Sequence, residues 1–228
     1  MADRNTPRYT VPSLTPQQGA EVAAILQERL NSLTDLHLTL KHVHWNVVGP
    51  HFIAVHEMLD PQVDAVRAMT DAVAERIATL GVSPVGTPGA LVAARAWDDY
   101  SLRRASAIEH LGALDEVYEG VITAHRKAAK DTESLDDVTN DLLIGHLHEL
   151  ELFHWFVRAH LESAGGDLST AGATTETGAA EKAAAGARST STRSAGAKAA
   201  PKTASKAPAK TAAASTTSAK TTSARKKK

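Results

Sequence analysis

The sequence predicts an all-α protein: a four-helix bundle with a short helix in its long middle connection, followed by a disordered C-terminal tail. Three observations lead to that class. Apolar residues recur at steps of three or four over four long segments, the period of a helix that buries one face. No segment alternates apolar and polar residues as a strand would, and no internal repeat is present. Composition changes abruptly after Gly166, from a mixed globular pattern to Ala, Ser, Thr, Gly and Lys. The chain of 228 residues therefore divides into an N-terminal arm (1–14), a bundle (15–166) and a tail (167–228).

The first helix starts at Thr15-Pro16, a hydroxyl cap followed by proline at the first helical position. Its stripe runs through Val22, Leu26, Leu30, Leu33, Leu36, Leu40, Val43 and Val47, and "VVGPHF" ends it. The second stripe is Val55, Leu59, Val66, Met69, Val73, Ile77 and Leu80, stopped by Gly81. Pro61 lies inside it and is expected to kink the helix, because it removes one backbone hydrogen bond. "GVSPVGTPG" opens the long connection, with a short helical piece near Leu91 to Arg95. The third stripe spans Leu102 to Ile122; the fourth runs from Leu135 through Val138, Leu142 and Leu147 to Leu161, and its helix ends at Gly165-Gly166, a C-cap. Beyond it too little can be buried to offset the entropy of ordering.

The absence of cysteine rules out disulfides and thiolate metal sites. No apolar run approaches the roughly eighteen residues of a membrane span, and "MADRNTPRYTVPSL" has no signal-peptide core, so a cytoplasmic protein is expected. The near-neutral total charge hides a strong asymmetry. Residues 1–166 carry thirteen positive and twenty-three negative charges, a net of −10; residues 167–228 carry twelve and three, a net of +9. From Lys182 onward there is no acid at all. Such a run is either a solubilising tail or one that binds phosphates without reading sequence.

The second helix carries two polar pairs, His56 with Asp60 and Asp71 with Glu75, each four residues apart and so on one face. Singly, such a pair is ordinarily a solvated surface. Together they are symmetric about the midpoint between residues 65 and 66. Two copies of this helix crossing antiparallel about a twofold axis there would bring His56 and Asp60 of one chain to Asp71 and Glu75 of the other. Imidazole and carboxylate without sulfur suit Fe(II), Mn(II) or Zn(II). "ELFH" (Glu151 to His154) matches the Glu-x-x-His unit of intrabundle di-iron sites, but such a site needs two units and only one is present. His37, His110, His125 and His160 read as ordinary helix-surface or edge residues.

The stretch "LHLTLKHVHWNVVGPHFIAVHEMLDPQVDAVRAMTDAVAERIATLG" resembles the Dps family, the miniature ferritins also called DNA-binding proteins from starved cells. A weaker resemblance extends from about Leu14 to Gly166, through "DDVTNDLL" and "FHWFVRAHLE"; the basic tail is most like that of actinobacterial members. The resemblance implies a ferritin-like fold and a dodecameric shell built from twofold dimers. It implies an intersubunit iron site for two ions, with His44, His56 and Asp60 from one chain and Asp71 and Glu75 from its partner. Trp45 would be the catalytic-site tryptophan beside the iron, and Asp137 and Asp141, one turn apart, the acids of an entry pore. The implied activity is a ferroxidase that oxidises Fe(II) with hydrogen peroxide and stores ferric oxide. The tail would bind and protect double-stranded DNA non-specifically through Lys198, Lys202, Lys206, Lys210, Lys220, Arg225, Lys226, Lys227 and Lys228, a nucleoid-associated role. The alternative reading is a purely architectural DNA-compacting protein whose metal site is idle or structural; the intact set of five ligands favours the ferroxidase.

Overall fold

A computed structural model describes residues 7–196, with side chains through residue 189. Within it lie six helices: α1 (Pro16–Asn46), α2 (Phe52–Thr79), α3 (Pro88–Ala94), α4 (Ala107–Thr132), α5 (Asp137–Leu161) and α6 (Glu176–Gly196). Thr15 caps α1 in a capping box with Gln18, as the Thr-Pro start predicts. The α1–α2 and α4–α5 pairs form two antiparallel hairpins. Between them the connection crosses the length of the bundle, using α3 as its helical piece. Two-residue strands β1 (Val47–Val48) and β2 (Ala105–Ser106) pair in parallel, tying the end of α1 to the start of α4. The core is the stripe set read from the sequence: Leu26, Leu33, Leu36 and Leu40 of α1 and Leu59, Val66, Val73 and Ile77 of α2 are all at most 1% exposed.

Several expectations change in detail. Pro61, from which a kink was expected, lies inside a helix that is continuous from Phe52 to Thr79. The stripe keeps its register across the proline, with Leu59 and Val63 buried on either side, so packing outweighs one lost hydrogen bond. α4 begins at Ala107 rather than Leu102, because Ser106 and Glu109 form a capping box there. α5 begins at Asp137; Val138 is 61% exposed, and Leu143 takes the buried position instead. His110 and His125, expected at the surface or an edge, are fully buried.

The largest correction concerns the tail. Disorder was expected from Asp167, yet the chain turns at Gly166 (φ 88°), bridges Leu168 back to Glu162, buries Thr170 and forms α6 against α4. Ala179, Ala180, Ala183 and Ala184 make the contact. Gly112 of α4 is required there: a Cβ on it would stand 2.7 Å from the Ala179 carbonyl oxygen. Glu176, in the first turn of α6, accepts bonds from the Ser101 amide (2.7 Å) and hydroxyl (2.8 Å). A low-complexity composition thus hides an alanine seam, with the high helix propensity of alanine and a flat face that suits close packing. Residues 197–228 lie outside the described residues.

Asp115 joins these parts. It is 4% exposed and accepts bonds from His154 Nε2 (2.6 Å), Arg158 Nε (2.7 Å) and Thr170 Oγ1 (2.6 Å), linking α4, α5 and the segment that leads to α6. Burial alone would raise its pKa; the bonds from His154, Thr170 and Arg158 outweigh that and hold it at about 2.

Burial has the opposite consequence for two histidines, pushing His125 from 6.5 down to about 3 and His146 from 6.5 down to about 4. Below pH 6.5 the unfolded chain binds protons that the folded chain refuses, so stability rises with pH over this interval and is lost on acidification. Thermal unfolding followed from about pH 7 to pH 4 is expected to show a steep loss beginning near the ordinary histidine pKa of about 6.5. A His125→Leu variant should show a shallower loss. An unchanged slope in that variant would remove His125 from the account.

Candidate metal site

Where α1 ends and α2 begins, two imidazoles lock the helices together. His44 Nδ1 donates to the His56 carbonyl oxygen (3.0 Å), and His56 Nδ1 donates to the His44 carbonyl oxygen (2.9 Å). The rings stack with centroids 3.6 Å apart. This exchange is possible because "VVGPH" reverses the chain in a few residues, with Gly49 (φ 85°) and His51 (φ 68°) in the left-handed region. Chemically, it places each ring proton on Nδ1 and leaves each Nε2 with a free lone pair, the state in which imidazole ligates a metal. Phe52 packs against His56, centroid to centroid at 5.0 Å.

Asp60, one turn beyond His56, completes the first half of the site. Its Oδ1 lies 3.3 Å from His44 Nδ1 and 2.9 Å from Lys41 Nζ. The hydrogen bond from Lys41 is the main reason its pKa lies below the ordinary carboxylate value. Lys41 therefore stands where another cation would stand. The sequence reading did not single it out, although its position one turn before His44 was a usable signal.

Within one chain the structure brings His44, His56 and Asp60 together and keeps Asp71 and Glu75 apart from them. The latter pair is exposed farther along α2, roughly 16 Å on from Asp60 by helix rise. Among the described residues, no group of three or more metal-ligating side chains in a single chain could hold an ion. Asp71 instead lines an open depression of about 640 Å³ together with Asp64 and Arg67 of α2 and Leu30 and Thr34 of α1. Trp45 is 71% exposed beside His44. Asp137 and Asp141 are both exposed on the first turns of α5, where the helix dipole favours acids in any case. The tail residues Lys198, Lys202, Lys206, Lys210, Lys220, Arg225, Lys226, Lys227 and Lys228 lie outside the described residues.

"ELFH" has a structural role. Glu151 pairs with Arg126, and His154 with Asp115. The bundle interior also holds the Arg29 guanidinium, 7% exposed, whose charge opposes a cation centre between the helices.

Residues 23–164 match the ferritin-like domain family. The chain is 61% identical over 174 residues to the DNA protection during starvation protein of Mycolicibacterium smegmatis, covering 76% of this chain and 95% of that protein. Among solved structures, Dps of Mycobacterium smegmatis superposes with a TM-score of 0.72 at 60% identity, covering 73% of this chain and 95% of that one. DpsA14 of Streptomyces coelicolor superposes with a TM-score of 0.71 at 64% identity, covering 72% of this chain and 97% of that one.

The place of Lys41 is open to a direct check. In a Lys41→Met variant the Asp60 carboxyl, followed by carbon-detected NMR across an acid titration, should titrate at a higher pH than in the parent. An unmoved titration would mean that the lysine does not hold the carboxylate.

Proposed function

The chain belongs to the Dps family of ferritin-like proteins, and on that premise we propose that it is a ferroxidase and iron store that also protects DNA. The observation that carries this reading is the reciprocal imidazole–carbonyl exchange of His44 and His56, which commits both Nδ1 atoms and leaves both Nε2 atoms free, with the Asp60 carboxylate one turn on and 3.3 Å from His44 Nδ1. Half a ligand set at one end of α2, with the complementary carboxylates Asp71 and Glu75 at the other, is what a twofold intersubunit site requires. The nitrogen and oxygen donors fit Fe(II) as substrate.

Two Fe(II) ions bind per intersubunit site, and one hydrogen peroxide takes an electron from each. With two protons consumed, the products are two Fe(III) and two waters, and no hydroxyl radical leaves the site. His44 and His56 hold iron through Nε2 while their Nδ1 protons remain on backbone carbonyls, so neither ring has to change tautomer during turnover. Lys41 must release Asp60 when iron arrives, exchanging one cation for another. Trp45, exposed beside His44, is placed to intercept stray oxidising equivalents. Asp137 and Asp141 serve as acids of an entry pore. A dodecameric shell keeps the ferric product in its cavity, and the acidic body, net −10 over residues 1–166, favours iron uptake.

DNA protection belongs to the segment beyond α6 in this reading. Residues 197–228 hold nine Lys or Arg and no acid. They would leave a helix fixed to the bundle and bind duplex phosphates without sequence preference, which makes the protein nucleoid-associated in the cytoplasm. Several tails on one shell add avidity and can bridge duplexes.

Anaerobic oxidation of Fe(II) by hydrogen peroxide is expected to consume about two Fe(II) per peroxide, from the two-electron chemistry of the oxidant. A His56→Ala, Asp60→Ala variant with verified assembly should lose this reaction. Co-assembly of that variant with an Asp71→Ala, Glu75→Ala variant should restore roughly a quarter of the parental activity, because half the dimers are mixed and each mixed dimer regains one of its two sites. No restoration would exclude a site shared between chains. Equal rates in parent and variant would favour the architectural reading.

For DNA, nine tail charges predict a log–log dependence of affinity on salt with a slope of about −8. Truncation after Gly196 should abolish binding by gel shift and leave Fe(II) oxidation unchanged. Undiminished binding would move the DNA contact to the body.

A further inference from the structure

Three polar side chains inside the bundle carry buried nitrogens that make no hydrogen bond. Arg29 of α1 is 7% exposed, and neither its Nε nor its Nη1 makes a hydrogen bond. His125 of α4 is fully buried with both ring nitrogens unpartnered. His146 of α5 is 7% exposed with Nδ1 unpartnered. The two rings lie with centroids 5.8 Å apart and planes inclined by 47°. The pairing of β1 with β2 makes α4 run antiparallel to α1, and that register sets Arg29 level with His125. The guanidinium is near enough for its charge to help keep the His125 ring neutral.

The charge balance is one-sided. The nearest carboxylate to Arg29 is Glu28, with Oε2 3.8 Å from Nη2, beyond hydrogen-bond reach and on a side chain 78% exposed. The charges of Arg29 and His146 both oppose protonation of His125, and among the described residues neither histidine forms an ion pair with an acid. A buried guanidinium whose one nearby carboxylate is a solvent-exposed Glu28, with no hydrogen bond between them, is only weakly compensated, a costly arrangement in a protein interior. Two neutral imidazoles beside it each offer one N–H donor. Positive charge with convergent donors and no acid is the chemistry of an anion site. With two rings so close together, it suits a monatomic anion better than a tetrahedral oxyanion.

We propose that the bundle binds a halide-sized anion, chloride under ordinary conditions, among Arg29, His125 and His146. The anion neutralises the buried guanidinium, accepts the donors that no protein group accepts, and stabilises the α1–α4–α5 contact. This site is separate from the iron site and does not depend on the proposed ferroxidase activity.

Two measurements on the full chain test it. Crystals grown with bromide in place of chloride should show an anomalous peak within hydrogen-bond distance of Arg29 and at least one of the two imidazoles. Ordered water alone at that position, or a carboxylate from a partner subunit on Arg29, would overturn the proposal. In solution, chloride titrated against a bulky organic anion at constant ionic strength should raise the unfolding midpoint by about 2–4 °C once the site is well occupied. An Arg29→Met variant should show no such rise. An equal rise in the variant, or none in the parent, would also refute the site.

Discussion

The exchange of hydrogen bonds between His44 and His56 is the interaction on which the rest of this molecule turns. Each imidazole satisfies a backbone carbonyl of the opposite helix, at the point where α1 gives out and α2 begins. The two helix ends therefore cannot slide past each other without leaving polar groups unpaired in a confined space. The same bonds decide the chemistry. A histidine whose Nδ1 proton is committed to a carbonyl has one tautomer and one free nitrogen, the form that the proposed metal site requires of its ligands. Beside them Lys41 holds the Asp60 carboxylate at 2.9 Å and favours its charged form.

The second hairpin is organised by a different device. Asp115 is a buried carboxylate whose charge is balanced by Arg158; it also accepts a bond from His154, and its other oxygen anchors Thr170. It fixes α4 to α5 and also starts the path that lays α6 on the outside of α4. The α6 seam is made of alanines, which bury little area each. Its stability therefore depends on the close approach that Gly112 permits and on the polar anchors at Thr170 and Glu176.

Much of the bundle was legible from periodicity, and the reasons for the failures are specific. On α1 and α2 every residue of the predicted stripe is buried. On α4 and α5 the stripe was traced through aliphatic residues alone, but the buried face there includes Tyr118, Asp115, His110, His125, His146 and His154. Polar residues on a core face look like surface to a hydrophobicity count, so His110 and His125 were placed outside and Val138 inside. The segment after Asp167 failed for the converse reason. Low apolar content reads as disorder, yet alanine needs only a flat partner.

The sequence by itself determined the all-α class, the helix start at Thr15, the separation of an acidic body from a basic tail, and the residue types able to ligate a metal. These depend on local propensity, on spacing and on charge, which are properties of the chain alone. It also determined the mirror relation between the two pairs on α2, since four residues apart means one face in any helix. Only the tertiary structure decided that His44 stacks on His56 and frees its Nε2, that Lys41 occupies Asp60, and that Arg29 and His146 both act on His125 in the interior. Each of those facts joins residues from different helices. Which helix faces which is set by packing the whole apolar surface at once, and no short stretch of sequence carries that information.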